Sequence, residues 1–381
     1  MFAITLHPTA EKFLDRLQML GAPAYHTLGP TMARAAMASG YALMAAQLTP
    51  VHVLKVDNQS IPTAKRDTPI RIYWPELTSG RTTDGTDDGT DDGMSDGMSD
   101  GMSDGTAKPR PKVESPQPSP IVVFIHGGGF VLGDLDQYDD MCRRLCQASA
   151  SVIVSIGYGL APESKFPDPV EECYAVVKWV AEHARELAGD SAGGDEGQVR
   201  LAVAGDSAGG DEGQVRLAVA GDSAGGNLAA AVTLLARDRG GPQIAYQVLI
   251  YPTVDLDGQT ASKIRNGTGY FLELPDMLWF RECYLPDERD ACDPLASPLL
   301  APDHANLPPA LVITAEYDPL HDEGHAYAAK LRQAGVAVEH RNYPGMIHGF
   351  MSMTWMFEQG REAIDFAGAR LHEAFDETTS E

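Results

Sequence analysis

Short apolar segments rich in β-branched residues alternate with helical segments along most of this 381-residue chain. Strands are predicted at residues 51–56, 70–74, 121–125, 152–156, 217–220, 246–251, 311–315 and 336–341. Helices are predicted at residues 141–148, 170–187, 227–237 and 324–334. Strands connected through helices pair in parallel, and the helices cover both faces of the sheet. The pattern therefore predicts an α/β fold with a mostly parallel, eight-stranded sheet.

Two helical segments stand outside this alternation. One, residues 9–48, precedes the first strand, and the other, residues 255–295, separates the sixth strand from the seventh. Because open α/β sheets bind ligands beyond the carboxyl ends of their strands, both segments are predicted to form a cap there. The predicted divisions are N-terminal cap helices (1–50), a first part of the catalytic core (51–254), a cap insertion (255–295) and a second part of the core (296–381).

The chain is strongly acidic, with 54 acidic and 29 basic residues and a formal net charge of −25. Such a chain lacks the basic surface that nucleic-acid binding requires, and anionic membrane surfaces repel it. An Asp/Gly/Thr/Ser repeat at residues 83–106 cannot bury enough apolar surface to offset its ordering entropy. With the Pro-rich residues that follow, it predicts a disordered loop over 83–119. The GGxGxD register of a calcium-binding β-roll is absent from this repeat.

The sequence predicts a cytoplasmic protein. No positively charged region precedes the short apolar run at residues 1–6, so an export signal is not expected. The most apolar long segment, residues 32–48, is mainly alanine and too weakly hydrophobic to span a membrane. The five cysteines are odd in number and form no CxxC pair, which favours reduced thiols over a metal site.

A perfect duplication precedes the fifth predicted strand. Residues 188–203 and 204–219 are identical 16-residue copies, and a third, partial copy begins at Ala220. Two and a half copies of this period are too few for a solenoid, so we expect most of residues 188–219 to form a surface loop. The duplication creates three GDSAG pentapeptides, centred on Ser191, Ser207 and Ser223.

Of these three serines, only Ser223 has a predicted strand before it and a predicted helix after it. Gly221 and Gly225 complete a G-x-S-x-G turn, whose glycines lack the β-carbon that would clash as the chain reverses. Such a turn exposes the serine hydroxyl at the end of a strand, although a glycine-rich turn can also contain serine without function. Ser191 follows a helix, and Ser207 runs into acidic residues. We therefore predict Ser223 as the nucleophile, with Ser207 as the alternative if the sheet uses the other copy of the strand.

A run of three glycines follows the predicted strand at residues 121–125 and forms the segment His126-Gly127-Gly128-Gly129-Phe130. Consecutive glycines allow the backbone to direct N–H groups into a cavity, as an oxyanion intermediate requires. Such a run could also form a flexible turn or a phosphate loop, but the Lys-Ser/Thr pair of a Walker motif is missing. Beside a nucleophile turn, the segment is interpreted as an oxyanion loop.

Two further residues complete a predicted Ser-His-Asp triad. Of the 11 histidines, His348 lies in the loop after the last predicted strand, where the triad histidine of this fold falls. The acid is expected between serine and histidine at a strand end, which favours Asp318 and leaves Asp322 as the alternative. Glu316 is expected to point elsewhere.

Together these segments resemble the hormone-sensitive-lipase-like esterases, the bacterial family IV branch of the α/β-hydrolases. The resemblance rests on HGGGF (126–130), the segment at 158–163, GDSAGGN (221–227), YDPL (317–320), DEG (322–324) and HGF (348–350). It implies a triad of Ser223, Asp318 and His348 within motifs that also contain His126, Gly127, Gly221, Asp222 and Gly225. It further implies oxyanion donors from the backbone N–H groups of Gly128, Gly129 and Ala224, and a cap that shapes the acyl pocket.

The activity implied is a serine carboxylesterase that hydrolyses short- to medium-chain acyl esters through an acyl-enzyme, without a metal or organic cofactor. Its partner would be a small-molecule ester, and a homodimer is left open. One departure concerns the segment Gly157-Tyr158-Gly159, where the family usually has Asp-Tyr-Arg before Leu-Ala-Pro-Glu. Loss of that charged pair is expected to remove a buried ion pair.

Three other functions remain open from the sequence. A hydrolase-fold binding protein would keep the pocket without turnover, although such proteins typically lack a triad residue and all three positions are filled here. An acidic interaction protein would act through the Asp/Gly repeat. A third possibility is hydrolysis of amides, carbamates or lactones. The triad cannot distinguish these bonds from simple esters, because cap side chains determine substrate choice.

Overall fold

The computed structural model describes residues 5–45, 48–76, 119–189 and 215–377. Its eight strands form one sheet in the order β1-β2-β4-β3-β5-β6-β7-β8. The strands are β1 (Lys55–Pro62), β2 (Asp67–Trp74), β3 (Ile121–Ile125), β4 (Val152–Ile156), β5 (Leu217–Asp222), β6 (Tyr246–Ile250), β7 (Ala310–Tyr317) and β8 (Val338–Ile347). The strand pairs β1–β2 and β2–β4 are antiparallel, and all the other pairs are parallel. The predicted α/β fold with a mostly parallel, eight-stranded sheet is confirmed.

Ten α-helices accompany the sheet in the described part of the chain. They are α1 (Pro8–Leu20), α2 (Gly29–Ala45), α3 (Asp139–Ser149), α4 (Asp168–Glu182), α5 (Ala184–Gly189), α6 (Ala224–Asp238), α7 (Ala261–Asn266), α8 (Leu274–Tyr284), α9 (His321–Gln333) and α10 (Glu358–Glu377). The N-terminal pair and the segment between β6 and β7 are helical, as predicted. The single helix predicted at 170–187 is divided in two at His183, whose ring bonds to the Trp179 carbonyl oxygen. Helix α10 was not predicted.

Two strand predictions need correction. The first predicted strand, at 51–56, lies mostly before β1, because regular pairing with β2 begins only at Lys55. The last, at 336–341, is too short, because β8 continues to Ile347 through an irregularity in its pairing with β7. The predicted loop at 83–119 lies almost entirely outside the described residues, as does most of the 188–219 duplication, including Ser191 and Ser207.

The hydrophobic core lies on both faces of the central strands. All five residues of β3 are buried, and successive side chains join different clusters. Val123 packs in the cluster that includes α4, α6 and α9 residues, whereas Phe124 packs in the one that includes α1, α3 and α10 residues. This alternation follows from the two-residue period of a strand. Helix α6 is buried from Ala224 to Ala236, so the turn before it is fixed in the core.

The packing of α10 on α3 predicts opposite effects for two glycine substitutions. A β-carbon at Gly368 would collide with Ala148, whereas one at Gly40, on the exposed side of α2, would meet nothing within 4 Å. We expect Gly368→Ala to lower the free energy of unfolding by about 1–3 kcal/mol through overpacking. Gly40→Ala should raise it by up to ~1 kcal/mol, because alanine favours a helix. Urea denaturation of the two variants measures both changes in the free energy of unfolding. Changes of the same sign in the two variants would contradict the described α3–α10 contact.

Candidate active site

Ser223 occupies the turn between β5 and α6 in a strained backbone conformation, with φ 54° and ψ −117°. A non-glycine residue adopts such angles only where its surroundings enforce them. Here the Ser223 N–H donates to the Ile250 carbonyl at 2.8 Å, and the Ser223 carbonyl accepts the Asn227 N–H at 3.1 Å. The neighbouring strand and the first turn of α6 therefore hold this residue in place.

The two glycines of the turn are required by close contacts of the main chain. A β-carbon on Gly221 would collide with the Gly225 carbonyl, and one on Gly225 would collide with the Ile125 carbonyl. Ile125 is the last residue of β3, and the glycine-rich loop begins directly after it. Gly225 thus permits the start of α6 to lie against the end of β3, which brings Ser223 close to this loop.

The structure brings the three predicted triad side chains into one hydrogen-bonded series. His348 Nε2 lies 2.9 Å from Ser223 Oγ, and His348 Nδ1 lies 2.7 Å from Asp318 Oδ2. Asp318 is fully buried after β7, and its other carboxylate oxygen accepts the Leu320 N–H at 2.7 Å. The Tyr251 ring packs on the imidazole with centroids 4.7 Å apart.

The alternative acids lie elsewhere. Asp322 Oδ2 accepts the Ser262 N–H at 2.8 Å, and its other oxygen lies 2.9 Å from His321 Nδ1. The Glu316 carboxylate accepts the Gly345 N–H at 2.8 Å. Neither carboxylate is hydrogen-bonded to His348. The geometry therefore favours Asp318 as the partner of the imidazole.

The glycine-rich loop leaves backbone donors free beside the serine. Gly128 and Gly129 have φ angles of 113° and 61°, which favour glycine, and the Gly128 carbonyl accepts the N–H groups of Val131 and Leu132. Within the described residues, the N–H groups of Gly128, Gly129 and Ala224 donate no hydrogen bond. Three backbone donors near one hydroxyl can bind an anion that develops there.

Helix α8, from the segment between β6 and β7, lies directly on this loop. A β-carbon on Gly129 would collide with the Phe280 ring of α8. One turn further along α8, the Tyr284 ring stacks on Phe130 with centroids 3.8 Å apart and an interplanar angle of 5°. Helix α8 therefore closes the side of the site formed by the glycine-rich loop.

Asp222 ties the nucleophile turn to the same loop. Its carboxylate accepts the Gly127 N–H at 2.7 Å and the Tyr138 O–H at 3.1 Å. Burial raises the pKa of Asp222 to about 6, although these two donors oppose the shift. Tyr138 lies 84 residues from Asp222 and outside the motifs named above, so no local pattern in the sequence indicates its role.

The imidazole of His126 is buried behind the loop. Its Nδ1 lies 2.8 Å from the Gly127 carbonyl oxygen, and its ring stacks on Tyr158 at 4.5 Å. Burial lowers the pKa of His126 to about 4, so the ring is neutral at neutral pH. The Tyr158 O–H donates to the His126 carbonyl at 3.0 Å. His126 therefore supports the loop in addition to Asp222.

The segment Gly157-Tyr158-Gly159 lacks a charged pair, yet a buried carboxylate beside it is still satisfied. The Glu172 carboxylate accepts the Gly159 N–H at 2.9 Å and the Thr68 hydroxyl at 2.5 Å, and it lies 3.2 Å from Arg66 Nε. Arg66, from the β1–β2 turn, thus supplies the positive charge. Gly157 lines a cavity of about 610 Å³ that also contacts His126.

The described residues form neither a metal-binding cluster nor a membrane-spanning helix. No group of three or more His, Cys, Asp and Glu side chains in this part of the chain is arranged to hold a metal ion. None of its helices is both long and apolar enough to cross a membrane. The five cysteines form no disulfide, and burial raises the thiol pKa of Cys142, Cys146 and Cys173.

Comparison with known proteins identifies the family. Residues 122–211 and 212–352 match a family described as having the alpha/beta hydrolase fold. The chain belongs to this family. The resemblance to hormone-sensitive-lipase-like esterases inferred from the motifs is confirmed. The two matched segments meet inside the duplication, shortly after the second GDSAG pentapeptide.

Several relatives of this α/β-hydrolase are named as esterases. It is 42% identical over 246 residues to the carboxylic ester hydrolase LipN of Mycobacterium tuberculosis, covering 62% of this chain and 58% of that protein. It is 33% identical over 243 residues to an ethyl acetate hydrolase of Pseudomonas putida, covering 64% of this chain and 70% of that protein. A solved esterase from Pyrobaculum calidifontis has a TM-score of 0.77 and 35% identity, over 97% of this chain and 98% of that chain. These names support the class of enzyme predicted from the motifs.

The buried Asp222 predicts a pH-dependent difference in stability. Its pKa of about 6 in the folded protein exceeds the ordinary aspartate value of 3.8, so the folded state binds the proton more tightly than the unfolded state. This group's contribution to folding stability is therefore lost as pH rises from about 4 to above 6. In Asp222→Asn, the amide can still accept the Gly127 N–H and can donate to the Tyr138 hydroxyl oxygen.

We expect Asp222→Asn to gain stability relative to the parent by about 2 kcal/mol between pH 4 and pH 7. Urea denaturation at several pH values measures this difference. Stability curves that stay parallel across this range would show that burial does not perturb Asp222 as described.

Proposed function

We propose that the chain is a serine carboxylesterase in which Ser223, His348 and Asp318 form the catalytic triad. The observation that carries this proposal is the pair of contacts of His348, at 2.9 Å to the serine hydroxyl and 2.7 Å to the buried carboxylate. A nucleophile, a base and an orienting acid in this geometry are the requirements of nucleophilic acyl transfer. The esterase names of the relatives give independent support.

The first half of the reaction forms an acyl-enzyme. His348 Nε2 takes the hydroxyl proton as Ser223 Oγ attacks the ester carbonyl carbon, and Asp318 holds the Nδ1–H and stabilises the imidazolium. The negative charge that develops on the carbonyl oxygen is stabilised by the free N–H groups of Gly128, Gly129 and Ala224. The intermediate then collapses, and the alcohol leaves with the proton that His348 returns.

The second half regenerates the enzyme. Water attacks the acyl carbon while His348 accepts its proton, and the same three N–H groups stabilise the second oxyanion. Collapse of that intermediate breaks the bond to Ser223 Oγ, which takes the proton back from His348, and releases the carboxylic acid. These steps need no metal or organic cofactor.

The proposed substrates are esters with short- to medium-length acyl chains. The packing of Phe280 and Tyr284 on the glycine-rich loop supports this preference, because α8 then restricts the space beside the oxyanion donors. The ethyl acetate hydrolase among the relatives is named for a short-chain ester.

We propose that residues 1–50 and 255–295 form the cap and that the remainder forms the catalytic core.

Matched serine substitutions test the proposal. We expect Ser223→Ala to lower kcat/KM for p-nitrophenyl esters by at least ~10³-fold, because the nucleophile is lost. Ser207→Ala, which changes the same pentapeptide in the preceding copy, should retain the parental rate. Initial rates from acetyl to palmitoyl esters should peak at the shorter chains.

Three outcomes would count against this account. Parental activity in Ser223→Ala would disprove Ser223 as the nucleophile. Loss of activity in Ser207→Ala would instead indicate that Ser207 is the nucleophile. A parent protein without activity on any ester in the series would favour a binding function for the same pocket.

A further inference from the structure

The short helix α7, at the start of the cap insertion, is fixed to the body of the protein through one face. It begins after Thr260, whose Oγ1 accepts the Lys263 N–H at 3.2 Å. Ser262, Lys263 and Asn266 are buried, whereas the intervening Arg265 is exposed. The buried face contacts residues 316–323, the segment that contains Asp318.

Residues 316–318 lie where the regular pairing of β7 ends. The register pairs of β6 with β7 end at Ile313, and the pairing of β7 with β8 is irregular between Ala315 and Tyr317. Buried carbonyl groups near such an irregularity need hydrogen-bond donors from outside the sheet. Asn266 provides a donor to each of two such groups, because its Nδ2 donates at 3.1 Å to the carbonyl oxygens of Glu316 and Asp318. The Asp318 carbonyl also accepts the His321 N–H at 3.2 Å.

The residues after Asp318 are fixed by the same face of α7. The Ser262 hydroxyl donates to the Pro319 carbonyl at 2.7 Å. Lys263 Nζ lies 2.6 Å from the Glu323 carboxylate, and both side chains are buried. Glu323 in turn accepts the Val254 N–H at 2.8 Å, which links the start of α9 to the segment after β6. The main chain is therefore held by α7 at Asp318 and on both sides of it.

The carboxylate of Asp318 has few other constraints. In the part of the chain that the structure describes, its carboxylate has the two hydrogen-bond contacts given above, with His348 Nδ1 and the Leu320 N–H. Its side chain is short, so a displacement of the main chain moves the carboxylate directly. Misplacement of a catalytic group by about 1 Å can reduce a rate about 100-fold.

We propose that Asn266 is a positioning residue for Asp318. Its amide fixes the Asp318 main chain so that the carboxylate stays within hydrogen-bond distance of His348. This inference rests on the proposed function and deepens it. It assigns to the cap insertion a role in orienting the triad, in addition to any contact with the acyl group.

Three single variants test whether the Asn266 amide matters. Asn266→Ala removes both donors and should lower kcat about 10-fold while KM stays within about 2-fold, because substrate binding is unaffected. Asn266→Asp should lower kcat further, since a carboxylate would face two carbonyl oxygens. Arg265→Ala, on the exposed side of the same helix, is the matched control and should retain the parental kcat.

A double-mutant cycle tests whether Asn266 acts through Asp318. In an Asp318→Ala background, adding Asn266→Ala should change the residual rate by less than about 2-fold, because the side chain that it positions is gone. The same 10-fold loss in both backgrounds would overturn the proposal, as would a parental kcat in Asn266→Ala. Thermal unfolding of each variant identifies global destabilisation.

If Asn266→Ala does not fold, Asn266→Ser replaces it in the cycle, and the same two outcomes apply. The Ser223→Ala assay distinguishes failure of this inference from failure of the proposed function. If the proposed function is wrong, Ser223→Ala keeps the parental activity, whatever the result of the double-mutant cycle.

Discussion

The site depends on how closely the turn at Ser223 approaches the end of β3. Gly225 has no side chain, so the first turn of α6 can lie against the Ile125 carbonyl, where a β-carbon would collide. That contact places the serine beside the loop with the free N–H groups of Gly128 and Gly129. It also explains why the strained φ of Ser223 is tolerated, because α6 is buried and cannot shift to relieve it.

Two further layers of contacts maintain this arrangement. At the glycine-rich loop, the buried Asp222 accepts the Gly127 N–H, and His126 stacks on Tyr158. The loop containing Asp318 is held by Asn266 of α7. Buried polar groups with satisfied hydrogen bonds specify one conformation, as a catalytic site requires. Most of the constraints that orient the site therefore come from residues that do not contact the serine hydroxyl.

The sequence predicted elements with local patterns well and long-range contacts poorly. Strands β3 and β4 have the predicted bounds, because each is a short, mostly apolar and β-branched segment between polar or glycine-containing segments. Helix α10 was missed, although its buried residues recur at helical spacing: Ala363, Ile364, Ala367, Leu371 and Phe375. The extension of β8 depends on an irregular pairing that no local pattern encodes. The contact of Asn266 with Asp318 joins residues 52 apart, so only the folded chain brings them together.

The most direct test of the central claim is to identify which serine reacts as the nucleophile. An alkyl p-nitrophenyl phosphonate would phosphonylate an activated serine, and trypsin would place the three GDSAG serines on separate peptides, at residues 186–200, 201–216 and 217–237. The account predicts a stoichiometric adduct on the 217–237 peptide alone, with p-nitrophenol released. An adduct on either of the other two peptides, or none at all, would contradict it.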